Sequence, residues 1–401
     1  MAKKNKITQK LVEETVVPEK RSGRTLQIIV IAACVLLFTF LYFYARTGRS
    51  TYDAEGDGIH YEKARVTQVY TDNTQIDPDT ENVRRGTMDL EIEILTGQHK
   101  GVLADATDYL SAYYNVYVQE GDVIAVSINT VNGEIEGIGV YNYSRSLWIW
   151  LFAAAFVGVL VLVGGKQGMK AILGLAITVF CMLFLLVPLL VQKGWPAIPT
   201  TIFMVAFTSL VTFVILGGVQ PKTMCAAAGT LGGVMIAGFF AWAACRIVHI
   251  SGMNMDEAES LILTACDNGL KVKGLLICGI LIAAEGAIMD IAMSIASAID
   301  EVHHVNPELG IKELFHSGMN IGRDAMGTMA NTLVLAFAGT SLNTMIFIYA
   351  YDVSYIQLMN TDFVAIEVVR SLAGSIGIVL TVPFVAILTA VLLKRTPLDK
   401  V

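Results

Sequence analysis

Eight apolar runs alternate with short polar connections along the chain, and one long polar interval separates the first run from the other seven. The first run covers 25–45, and the rest cover 147–164, 171–191, 199–218, 224–248, 274–299, 325–350 and 369–393. At 1.5 Å per helical residue, about 20 apolar residues cross a hydrocarbon core of about 30 Å. Each run therefore predicts a spanning helix. The interval 46–146 has another period. Segments 63–70, 87–97, 122–128 and 134–143 alternate apolar and polar positions like half-buried strands, and Gly97, Gly101, Gly121 and Gly133 mark turns between them. Several short strands without a helical period predict a small, partly open β-barrel of the OB type. The fold class expected is an α-helical polytopic membrane bundle of about eight transmembrane helices, with an inserted, small, β-rich extracytoplasmic domain.

Basic residues orient the bundle. Lys166, Lys170, Lys222, Lys312, Arg323, Lys394, Arg395 and Lys400 fall in alternate connections, whereas the short connection between the third and fourth runs holds only Lys193. Excess positive charge marks the cytoplasmic side, so both termini are expected there and 46–146 outside. Residues 1–24 carry seven Lys/Arg ahead of the first run, and Arg46 and Arg49 follow it without a small-residue cleavage pattern. That reads as an uncleaved anchor. The division expected is a cytoplasmic tail at 1–24, an anchor at 25–45, an exterior domain at 46–146, a seven-helix bundle at 147–393 and a second cytoplasmic tail at 394–401. The connections 249–273 and 302–324 are long enough to hold half-helices.

Composition agrees with this picture. The chain is 54% hydrophobic and 16% charged, against about a quarter charged in soluble proteins. The net charge of −7 comes with no basic stripe, which argues against a nucleic-acid partner. Six cysteines lie in or beside apolar runs, and none lies in 46–146. They read as small buried hydrophobes and not as a disulfide framework or zinc site.

Candidate chemistry concentrates in the sixth and seventh runs. Glu285 stands near the middle of the sixth, and Asp290 lies about 7 Å nearer the cytoplasm. Asp290, Ser294 and Ser297 share one helical face, and Gly279, Ala283 and Ala287 form a small-residue seam that admits a close neighbour. In the seventh run Asp324, Thr328 and Asn331 form a second polar face, with Arg323 beside it and Gly322 and Gly327 within it. An ionised carboxylate at this depth must face protein or water. If the two faces meet, their hard oxygen ligands suit a proton, Na⁺, a divalent cation or the polar end of a substrate. The competing reading is interhelical glue.

Glu367 and Arg370, three residues apart, suit a structural ion pair. The run 229–238, GTLGGVMIAG, suits tight helix packing. His303, His304 and His316 read as surface residues, so no metal site is assigned. No cofactor is evident, and no catalytic residue is assigned. A phosphate-binding loop, HExxH, GxSxG and an aspartyl GxGD motif are all absent from the sequence.

The segments SGMNMDEAESL (251–261), GLLICGILIAAEGAIMDIAMSIASAI (274–299), LFHSGMNIGRDAMGTMANTLVLAFAG (314–339) and AIEVVRSLAGSIGIVLTVP (365–383) resemble the YibE/F family of bacterial multipass proteins. The likeness extends over the anchor, exterior domain and bundle. It implies a bacterial plasma-membrane location and the larger, YibE-like form that carries an exterior domain. A smaller YibF-like paralogue, or a homo-oligomer, is then a candidate partner besides the bilayer. It implies no activity. Three functions fit these residues: a secondary transporter or permease with a polar site between the sixth and seventh spans, an envelope assembly or sensor module with a structural polar core, and an intramembrane aspartyl hydrolase.

Overall fold

The computed structural model describes residues 21–46, 58–131, 133–250 and 274–395, and between the last two only 252, 253, 255, 258–265, 270 and 272. Most of the two expected tails, the start of the exterior domain at 47–57, and much of 249–273 lie outside the described residues. The chain separates into two compact units, 50–162 and the remainder.

The first unit is built on β1 (Gly58–Asp72), β2 (Gln75–Asp77), β3 (Val83–Ile94), β4 (Leu103–Leu110), β5 (Val123–Val131) and β6 (Glu134–Tyr143). Five of these strands close in the circular order β1-β5-β6-β4-β3-β1, with β2 flanking β3. All pairings are antiparallel except β4–β6, which touch in parallel at Thr107 and Gly139. Two register shifts in β1, between Val66 and Gln68 and between Val69 and Thr71, bend this long strand so that it serves both β5 and β3. The alternation read from the sequence is an inward row: Met88, Leu90, Ile92 and Ile94 of β3 meet Ile124, Val126 and Ile128 of β5 in the barrel core. Gly86 has φ +137°, and a Cβ there would stand 2.5 Å from the Asn73 carbonyl oxygen, so only glycine lets β3 pass that turn. The sequence pattern missed β4. Its inward positions are Ala106, Asp108 and Leu110, and a buried acid breaks the apolar alternation.

The helices are α1 (Arg21–Arg46), α2 (Ser146–Cys181), continued through a π-helical turn (Met182–Leu186) into α3 (Val187–Lys193), then α4 (Ala197–Gly217), α5 (Pro221–Ile247), α6 (Ala258–Ala265), α7 (Leu275–Val305), α8 (Ile311–Thr340), α9 (Leu342–Ala350), α10 (Tyr355–Met359) and α11 (Asp362–Arg395). Six helical stretches are long and apolar enough to cross a membrane, and α8 with α9 makes a seventh if the bent pair is one span. The 48-residue stretch Ser146–Lys193 contains a non-helical break at Gly165 (φ 52°, ψ −130°), between the two runs read from the sequence.

One expectation changes, and the helix allowed for in one connection is present. The run 325–350 is not one straight helix, because α8 and α9 meet at 57° around Ser341. The connection 302–324 is mostly helix: α7 continues to Val305 and α8 begins at Ile311, since Leu314, Gly318 and Gly322 give this polar segment a buried face.

The main core of this unit joins α5, α7, α8 and α11. Glycines let these helices approach closely. A Cβ on Gly233 would strike Thr381, one on Gly229 would strike Val385, and one on Gly377 would lie 2.5 Å from the Ala237 Cβ and 3.2 Å from its Cα. The run 229–238 therefore packs α5 against α11. A second core gathers Leu41 and Ala45 of α1, Leu185 and Leu189 near α3, and Met204 and Phe207 of α4.

Candidate functional site

Helix α7 presents three faces. Ile288, Ile291, Ile295 and Ile299 point into the core. Glu285 is also buried, but on the side of α4, where its Oε1 accepts hydrogen bonds from Thr208 Oγ1 (2.7 Å) and Ser209 Oγ (3.2 Å). The outward face carries Gly279, Ala283, Gly286, Asp290 and Ser294, all exposed, with Ser297 and Ala287 half-buried at its margins. A Cβ added to Gly279 or Gly286 would meet open space. Gly279 and Ala283 of the small-residue seam read from the sequence thus face away from the described helices, whereas Ala287 packs at the edge of the main core.

Helix α8 repeats the arrangement. Leu314, Gly318 and Gly322 face inward, with Gly318 against Ile299 and Gly322 beside Ile295 and Val382. Arg323, Asp324, Thr328 and Asn331 are exposed. The Ile299–Gly318 and Ile295–Gly322 contacts fix the antiparallel register, which sets Ser294 level with Arg323 and Asp290 level with Gly327. The two polar faces therefore share one depth. They are not joined by direct contact: among the described residues no hydrogen bond or ion pair engages the side chains of Asp290, Arg323, Asp324 or Asn331. The Thr328 hydroxyl donates to the Ala325 carbonyl of its own helix (2.9 Å). Glu285 belongs to a different side of α7.

At the other end of α8, Glu367 and Arg370 form the expected pair, with Arg370 Nη1 2.7 Å from Glu367 Oε1 and the guanidinium over the Phe337 ring. Among the described residues no three His, Cys, Asp or Glu side chains gather in a metal-holding arrangement.

A charged cluster escaped the sequence reading. Lys222, in the first turn of α5, reaches Asp300 of α7 (3.1 Å), and Asp300 also meets His304 Nδ1 (3.5 Å). Lys394 of α11 donates to the Pro307 carbonyl (2.8 Å). His304 and His316 are exposed, as read, but His303 is buried. The signal was present. Asp300 and His303 extend the buried stripe of Ala292, Ala296 and Ile299 by one more helical turn.

The fold thus joins a β-barrel to a helical unit with several helices suited to a bilayer, and the helical unit sets polar residues on outward faces. The chain belongs to the family of YibE/F-like proteins, whose model matches residues 152–395, more than half its length. The matched range begins inside α2 and omits the anchor and barrel, to which the resemblance read from the sequence had extended. No curated protein matches the chain, and no solved structure does.

Proposed function

We propose that this protein is an eight-span transporter or permease of the bacterial plasma membrane. Both termini are cytoplasmic, the barrel is outside, and a polar solute or cation moves along the outward faces of α7 and α8. The break at Gly165 supports the eighth span. A continuous helix of 48 residues would be ~72 Å long, more than twice the hydrocarbon core, and the break divides it at the Lys166–Lys170 connection. The circular barrel order with one parallel contact suits the OB type expected from the strands.

The observation that carries the transport reading is the exposure of Asp290, Arg323, Asp324 and Asn331 at one depth of the bundle. An ion facing lipid at the centre of a span costs about 2.5–3.5 kcal/mol on insertion scales. Several such groups on neighbouring faces call for water or protein against them. In this reading Asp290 and Asp324 bind or release H⁺, Na⁺ or a divalent cation, Arg323 balances charge, and Ser294, Ser297, Thr328 and Asn331 supply neutral ligands. The side of the path opposite α7 and α8 comes from a second copy or a smaller YibF-like paralogue. Glu285 holds α7 to α4 and takes no part in transport.

Proteoliposomes test this directly. Wild-type protein is expected to drive H⁺- or Na⁺-gradient-dependent flux, and Asp290→Asn and Asp324→Asn to lose most of it. Equal, gradient-independent flux in all three would remove the coupling role.

A second reading, an envelope assembly or sensor module, draws on the barrel's own core and on a groove of about 450 Å³ lined by Asp105, Thr107, Ser127 and Asn129. Deleting 46–146 would abolish sensing but only impair flux.

A further inference from the structure

One stripe of α8 combines features that no described part of the chain uses. Asn320, Asp324, Gly327 and Asn331 are spaced i, i+4, i+7 and i+11, and all four are exposed, as is Arg323 beside them. That spacing lays the four on one helical face, in the repeat of helices that pack side by side.

Gly327 is the first sign of a missing neighbour. A glycine inside a helix costs about 1 kcal/mol relative to alanine, and the inward glycines of α8 have a visible reason for it. A Cβ on Gly318 would strike Ile299, and one on Gly322 would strike Val382. A Cβ on Gly327 would meet open space. The polar groups are the second sign. Among the described residues the side chains of Asn320, Arg323, Asp324 and Asn331 have no hydrogen-bond or ion-pair partner, and lipid supplies none.

The stripe is complementary to itself. In two copies related by a two-fold axis along the membrane normal, every residue meets the other copy at its own depth. Arg323 and Asp324 are adjacent, so each copy offers a cation and an anion at one level, and two reciprocal ion pairs form. An asparagine amide both donates and accepts. Asn320 and Asn331 can therefore each pair with their own counterparts, as a seam asparagine does in a parallel coiled coil. Gly327, between the two amides, lets the backbones approach. A partner of different sequence would need no such symmetry.

We infer that two copies of this chain pair through α8, with Asp324 against Arg323 of the partner subunit and Gly327 at the closest approach. The pairing rests on the membrane placement of α8 in the proposed function and selects the second copy over the paralogue. Arg323 then balances Asp324 from across the axis, and Asp290 of α7 keeps the net negative charge of the path.

The test labels two populations of the full chain with donor and acceptor dyes, mixes them in liposomes and reads energy transfer as the protein is diluted in lipid. The wild type should show a saturable dimer. Arg323→Asp sets acids against acids and should weaken that dimer about tenfold or more. Arg323→Asp combined with Asp324→Arg restores opposite signs and should recover it. These side chains are exposed, so both variants should keep the wild-type melting temperature in dilute detergent. Gly327→Cys should cross-link between copies on oxidation, above the blank set by the native cysteines, whereas Phe239→Cys, at a 60% exposed position on α5, should not. An Arg323→Asp dimer of undiminished strength, no recovery in the double variant, or equal cross-linking at both positions would overturn the inference. A monomer with gradient-dependent flux would overturn the pairing and leave transport standing; a wild-type dimer cross-linked at 327 but without flux would do the reverse.

Discussion

Asp108 gives the barrel an unusual dependence on pH. Its side chain is 3% exposed, between buried Ala106 and Leu110 and across from Met88, and its Oδ2 has no partner among the described residues. Desolvation pushes its carboxyl up from 3.8 to about 6, against a smaller opposing hydrogen bond from the Tyr109 backbone N–H. Below about pH 3.8 the group is protonated in both folded and unfolded states and the cost of its charge is gone. Between about 3.8 and 6 the folded state holds the proton more tightly, so stability falls as pH rises. Above 6 the whole cost is present. A shift of roughly two units corresponds to about 3 kcal/mol, and relaxation of the barrel reduces the measurable gain on removing the charge to about 1–3 kcal/mol. Asp108→Leu, close in shape and apolar, should realise that gain at pH 7–8 and lose it by pH 4. The assay is urea unfolding of a fragment spanning 50–145, followed by tyrosine near-UV circular dichroism at several pH values. The difference between variant and wild type isolates Asp108 from groups such as Asp72, whose carboxyl is held below its usual range chiefly by Thr74. A difference that stays constant from pH 4 to 8 would refute the reasoning.

Three further outcomes follow from the helical unit. Glu285→Gln should keep both folding and flux, because Thr208 also donates to the Met204 carbonyl (2.8 Å); Glu285→Ala should cost about 2–4 kcal/mol of thermal stability through the cavity it leaves. Gly377→Ala should lower the melting temperature, since Ala237 and the Gly233 carbonyl leave no room for a methyl group, at a cost of about 1–3 kcal/mol; Gly279→Ala, in open space, should be neutral and serves as the control. Lys222→Met should cost roughly 2 kcal/mol by leaving Asp300 without its ammonium partner, and Lys222→Met with Asp300→Leu should recover most of it. Melting curves in detergent check the stabilities, and the proteoliposome assay checks the flux of Glu285→Gln.

Uninterrupted apolar runs of spanning length were enough to place the apolar helices, and period-two alternation placed four barrel strands, because each of those strands buries alternate side chains. Alternation failed at β4, where Asp108 occupies an inward position. The apolar run failed at Ser341, where no proline announces the 57° bend. In the candidate site, spacing correctly grouped Asp290 with Ser294 and Asp324 with Thr328. Spacing states which residues share a face, but not which way the face looks. That direction is set by α11 and α5, whose glycines admit them so closely that they occupy the apolar sides of α7 and α8. Glu285 shows the same limit: its hydroxyl partners Thr208 and Ser209 lie far away in sequence, on α4.

Backbone contact between α5 and α11 has a mechanical corollary. Where glycine faces alanine across an interface, few rotamers can turn to ease one helix past the other, so the pair answers a push as a single block. Sliding is left to surfaces lined by long, bendable side chains, and along α7 and α8 those are Met289, Met293, Met319, Met326 and Met329.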